Sequence, residues 1–200
     1  VGSLDILAFD YTNLSFTGMV IFFTAFLIGI KFPDWDFKLK LRHRNILTHS
    51  PLILFFFTWL YTRNPGTEFR YFIMGFSLAI GIHLIFDIFP KGWGGGALLQ
   101  MPFIRYRFRK GWSILLFLAF ILISLGMSIR STQTIEELIF VSLYGIVIIA
   151  INRMKEEKVM RPMCAFLLVM LLISSIKYNE VAETVSLVYT NVQKTLINLL

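Results

Sequence analysis

The stretch FRYFIMGFSLAIGIHLIFDIF, residues 69–89, decides the class of this chain. It is apolar for the roughly 17 to 25 residues that a helix needs to cross hydrocarbon. Pro90 and the loop Gly92-Trp93-Gly94-Gly95-Gly96 close it. Near its end stand His83 and Asp87, four positions apart, which on a helix share one face about one turn from each other. Ionisable groups inside a span are costly and turn toward a bundle interior or a wet cavity, so this pair needs a partner. Its spacing suits two ligands of a single metal ion.

Outward from this segment the rest of the chain repeats its character. Hydrophobic residues make up 56% of the 200, and the mean hydropathy of +0.72 lies well above that of an ordinary soluble domain. Apolar blocks fall at 14–30, 51–61, 69–89, 112–129, 137–151 and 162–176, separated by charged connectors. Two of the last three are short, so five or six spans are expected. After Tyr178, the residues Val181, Val185, Val188, Val192, Leu196 and Leu199 recur at three or four positions, as in an amphipathic surface helix. The expected fold is all-α: a polytopic helical membrane protein of five or six transmembrane helices plus a C-terminal amphipathic helix. Residues 1–200 read as one membrane domain, with 14–102 carrying the site and 103–200 supplying accessory helices.

Several function classes recede on composition. The single cysteine, Cys164, lies in an apolar run, which rules out an intrachain disulfide and a cysteine-based zinc site. A net charge of +7 would suit nucleic acid, but in a membrane chain basic residues more often gather in cytoplasmic connectors beside anionic lipid. Lys and Arg number five, two (with Arg70 at the start of the third block), five, one and four in successive connectors, which places the odd-numbered connectors in the cytoplasm and both termini outside. No signal-peptide pattern is read in the opening residues.

The first of those connectors holds the other candidate ligands. Asp34 and Asp36 follow Pro33; His43, Arg44, Thr48, His49 and Ser50 come next. With the charge alternation above, Asp34, Asp36, His43, His49, His83 and Asp87 all fall at the cytoplasmic face. A metal-free hydrogen bond between His83 and Asp87 is the alternative, but every histidine of the chain gathers on this face, and that favours a divalent metal. Zinc suits imidazole and carboxylate ligands best, with manganese or iron also open. Asp34 and Asp36 are candidate catalytic residues as well, either as general base or as partners orienting an imidazole. Arg42 and Arg44 are read as a substrate headgroup clamp, with ordinary positive-inside anchoring as the other reading. The run Arg105-Tyr106-Arg107-Phe108-Arg109-Lys110 alternates cation and aromatic as an interfacial segment does, and Trp35 and Trp93 mark the same interface. Ser50-Pro51 reads as a helix N-cap followed by proline at the first helical position. The Gly94-Gly95-Gly96 run is either a flap over the site or a turn.

Taken in order, Asp34-x-Asp36, His43-Arg44, Thr48-His49-Ser50 and His83 with Asp87 resemble the pattern of the YdjM-like membrane-bound metal-dependent hydrolases, over residues 28–102. That family is distantly similar to zinc-dependent phospholipase C and single-strand nucleases, so the resemblance implies phosphoester hydrolysis with histidine and aspartate ligands. The expectation is an enzyme of the bacterial inner membrane acting at the cytoplasmic face on a lipid or lipid-linked phosphate. The rival expectation is a non-enzymatic sensor, scaffold or assembly partner whose metal is structural. Membrane lipid is the expected partner; residues 103–200 leave a protein partner or a homo-oligomer open.

Overall fold

The structure, a computed structural model, describes residues 14–90, 93, 97–104, 106–152 and 159–178. The expected C-terminal amphipathic helix, the Gly94-Gly95-Gly96 run and Arg105 lie outside the described residues. Among the described residues seven helices follow one another: α1 (Phe16–Gly29), α2 (Trp35–Lys38), α3 (Leu52–Arg63), α4 (Thr67–Asp87), α5 (Lys110–Arg130), α6 (Ile135–Asn152) and α7 (Met160–Lys177). Among the described residues the only β-type pairing is two isolated bridges, Asn45 with Gln100 and Gln100 with Arg107. α4, α5 and α7 are long and apolar enough to cross a bilayer, while α1 and α3 are shorter apolar helices. α3 begins at Leu52, one residue later than Ser50-Pro51 suggested; Pro51 takes the N-cap position, and the Ser50 hydroxyl still accepts from the Leu52 N–H at 3.4 Å.

The helices are apolar on the outside as well as within. Trp112, Leu115, Leu118 and Leu122 on α5, and Leu168, Leu171, Leu172 and Ile176 on α7, are exposed. Contiguous apolar surface of this kind fits lipid rather than water. α4 is the exception, since 78% of its apolar window is buried against 39% for α5 and 22% for α7. It is the central helix, and glycines let α1 come close to it. A Cβ on Gly75 of α4 would lie 2.3 Å from the Phe22 carbonyl oxygen of α1, and one on Gly29 of α1 would lie 2.9 Å from the Phe76 carbonyl oxygen. Without a hydrophobic drive between helices in lipid, such backbone approach supplies the packing.

A buried ion pair fixes the phase of the bundle at one end. Arg70 donates from Nη1 and Nη2 to the two oxygens of Glu137 at 2.6 and 2.7 Å, and the Tyr71 hydroxyl donates to the same carboxylate at 2.7 Å. Tyr71 also accepts the Ser15 N–H at 3.3 Å, and Lys177 donates to the carbonyls of Ile129, Arg130 and Thr132. The starts of α1, α4 and α6 and the ends of α5 and α7 therefore share this end. The end of α1, the end of α4 and the starts of α3 and α5 must meet at the other, as the candidate ligands require.

Candidate metal centre

At that second end the connector 30–51 folds back on itself. Lys40 and Arg44 adopt left-handed backbone, φ 55° and 57°, which reverses the chain after α2. Residues 44–46 then run beside 99–101, with the Ile46 N–H donating to the Gln100 carbonyl at 2.9 Å and the Gln100 N–H donating to the Arg44 carbonyl at 3.0 Å. Asn45 makes the turn that follows. Its side-chain oxygen accepts the Leu47 N–H, and its carbonyl accepts the N–H groups of Thr48 and His49, an Asx-type turn that drives His49 to full burial.

Two histidines are held so that the same nitrogen of each faces inward. His83 Nδ1 lies 2.9 Å from the Ile30 carbonyl, which can only accept, so Nδ1 carries the proton and Nε2 offers a lone pair. His49 Nδ1 lies 3.1 Å from the Thr48 hydroxyl, which itself donates to the Asn45 carbonyl at 3.2 Å, so the hydroxyl is left to accept from His49. His49 Nε2 is then also bare. It stands 3.4 Å from Asp87 Oδ2, and His83 Nε2 stands 3.5 Å from the same oxygen. Donors about 2.0–2.1 Å from a tetrahedral zinc are separated by about 3.3–3.4 Å, so these spacings suit one such ion.

The hydrogen-bond ledger points the same way. His49 Nε2 and Asp87 Oδ2 are buried with no hydrogen-bond partner among the described residues, although buried polar atoms are nearly always satisfied. Burial, followed by the charges of His83, His43 and Arg44, holds the His49 pKa well below the usual 6.5, which keeps its lone pair free near neutral pH. Asp34 completes the mouth of this group. It is half exposed, and its Oδ1 is 3.8 Å from His83 Nε2.

Asp36, His43 and His49 form a second group whose spacing could also hold an ion. Both oxygens of Asp36 and the Nδ1 atoms of His43 and His49, however, are already partnered. Fully buried Asp36 accepts the Phe37 N–H on Oδ1 at 2.7 Å, and on Oδ2 the Arg44 N–H at 2.8 Å and His43 Nδ1 at 3.3 Å. His49 Nδ1 is farther, at 3.9 Å, and occupied by Thr48. His43 itself is 39% exposed and stacks on Phe37 with ring centroids 4.9 Å apart. The six expected residues thus sort into an inner set, His49, His83 and Asp87, a rim of Asp34 and His43, and buried Asp36, which ties His43 to the backbone of Arg44.

The two arginines separate. Arg42 is exposed at the rim, where a headgroup clamp would stand. Arg44 is not there: its side chain is 8% exposed and donates to Asp87 Oδ1 at 2.9 Å and to the Ala97 carbonyl at 2.8 Å. The Arg44 guanidinium is held on both sides inside the bundle, by Asp87 and by the Ala97 carbonyl, rather than at the rim. Residues that side-chain chemistry could not single out also build the site, among them Ile30, Ala97 and Gln100, which act through backbone groups.

The model of the YdjM inner membrane protein family matches residues 7–159, which takes in the whole centre and reaches through α6. The chain belongs to that family. The match extends well beyond the 28–102 segment that carries the motif resemblance, and with the apolar helices it makes this a membrane protein. No curated protein and no solved structure shows a significant match.

Proposed function

We propose that this YdjM-family protein is a membrane-embedded metal-dependent hydrolase of phosphoesters, with one divalent ion, zinc by preference, held by His49 Nε2, His83 Nε2 and Asp87 Oδ2. The observation that carries the reading is the pair of buried atoms, His49 Nε2 and Asp87 Oδ2, unpartnered among the described residues and facing each other beside His83 Nε2. Two imidazoles and one carboxylate with a remaining open position are a ligand set of catalytic zinc. When bound, such an ion polarises a phosphoryl oxygen and brings the pKa of water down to about 7.

The chain's own groups supply the proton handling. Asp34, half exposed at the mouth, is placed to take a proton from attacking water. Asp36 orients His43 through Nδ1, and the half-exposed ring acts in its doubly protonated form, whose Nε2 proton passes to the leaving oxygen and leaves the neutral imidazole. The substrate we infer is a lipid or lipid-linked phosphate. Its support is the rim, where exposed Trp35, Phe37 and Leu39 alternate with exposed Lys38, Lys40 and Arg42, a surface that suits apolar chains and anionic headgroups together. The connectors at this end hold most of the Lys and Arg, which supports a cytoplasmic orientation.

The test is metal analysis of the purified protein together with release of phosphate or headgroup from anionic phospholipid vesicles. One ion per chain and activity are expected, with both lost in His49→Ala and His83→Ala. Metal-free protein, or activity indifferent to both substitutions, would overturn the proposal. One observation favours a second reading: the 3.8 Å approach of Asp34 to His83 could close a four-ligand structural site that clips the first connector to α4. In that case Asp34→Asn would weaken metal binding, and no substrate would be turned over.

A further inference from the structure

We propose that Arg44 is a positioning residue that confines Asp87 to one-oxygen ligation and thereby keeps a coordination position open. The inference rests on the metal site proposed above and goes beyond it. A carboxylate offers two oxygens, and next to a cation it can ligate through one or through both. Here Asp87 Oδ1 receives the Arg44 guanidinium at 2.9 Å, while Oδ2 has no hydrogen-bond partner among the described residues and faces both imidazoles. The two oxygens are assigned to different tasks by one side chain.

Arg44 is itself held from several directions, so it cannot swing aside to release Oδ1. Its backbone N–H is given to Asp36 Oδ2 at 2.8 Å, and its carbonyl accepts the Gln100 N–H at 3.0 Å. Nη1 is given to the Ala97 carbonyl at 2.8 Å, and the guanidinium lies 5.6 Å from the centre of the Phe117 ring on α5. The residue also sits in left-handed backbone, φ 57°, a conformation that persists only where its surroundings enforce it. Lysine cannot reproduce this arrangement, because a single ammonium lacks the planar fork that serves Ala97 and Asp87 at once. Segment 97–101 and α5 thereby act on the site although they contribute no candidate ligand.

Cobalt(II) in place of zinc reads the coordination number, since four-coordinate cobalt absorbs visible light more strongly than five-coordinate cobalt. The purified full chain in detergent should give the strong four-coordinate spectrum. Arg44→Met should lose a large part of that intensity and shift toward five-coordinate bands, because Asp87 gains its second oxygen. Arg44→Lys, which retains the charge, should also lose intensity, because one ammonium does not hold Asp87 Oδ1 and the Ala97 carbonyl together. Wild-type spectra in both single variants, with only thermal stability reduced, would overturn the inference and leave Arg44 a structural tie. A wild-type chain that takes up no cobalt would overturn the metal reading and this inference with it, which distinguishes the two failures.

Discussion

Thr48 illustrates how much of the centre is set one atom away from the ligands. Its hydroxyl passes its own proton to Asn45 and takes that of His49 Nδ1, which fixes the imidazole in the form that can bind a cation through Nε2. Removing a partner of this kind costs a metal site about 10- to 100-fold in affinity. Thr48→Val should therefore weaken zinc binding by that order in a competitive chelator titration. A second outcome concerns proton linkage in the metal-free protein. The folded state keeps His49 neutral where the unfolded chain protonates it near 6.5, so unfolding takes up a proton as pH falls. Thermal stability in detergent should decline below about pH 6.5, and His49→Gln should flatten that decline.

Among the elements, α4 joins the two ends of the molecule: Arg70 and Tyr71 sit in its first turns, and His83 and Asp87 in its last. Losing one member of the buried Arg70–Glu137 pair strands the other, which typically costs about 3–5 kcal/mol. Arg70→Ala should lower the melting temperature sharply, whereas Arg70→Met combined with Glu137→Leu should recover much of the loss. The contact of α1 with α4 is tested by Gly75→Ala, where the new methyl would meet the Phe22 backbone at 2.3 Å. Because α1 ends at the Ile30 carbonyl that holds His83, the same change should reduce metal retention as well as stability. Much of the element plan is legible in the sequence. The block 69–89 becomes Thr67–Asp87, and 112–129 becomes Lys110–Arg130, because long apolar runs leave the backbone no option in lipid but to bond to itself. The boundaries shift by about two residues where Gly66 and Arg109 cap the helix starts ahead of the first apolar residue of each block.

For the molecule as a whole, the alternation of the helices puts the centre at the end where basic connectors gather. This predicts opposite labelling of the two ends in intact cells. In a Cys164→Ser background, Arg42→Cys should be protected from a membrane-impermeant maleimide, and Asn64→Cys should react. Reaction at position 42 with protection at 64 would invert the orientation.

The sequence by itself determined that this is a helical membrane protein and that imidazoles and carboxylates gather at one face. Hydropathy, spacing along a helix and side-chain chemistry are local, so His83 with Asp87 and the paired Asp34 and Asp36 can be read directly. Only the tertiary structure decided that His49 is buried while His43 stays at the rim, which nitrogen each inner histidine offers, and that Arg44 turns inward to Asp87. Those outcomes hang on the carbonyls of Ile30, Asn45 and Ala97 and on contacts across distant segments, and every residue type carries the same carbonyl.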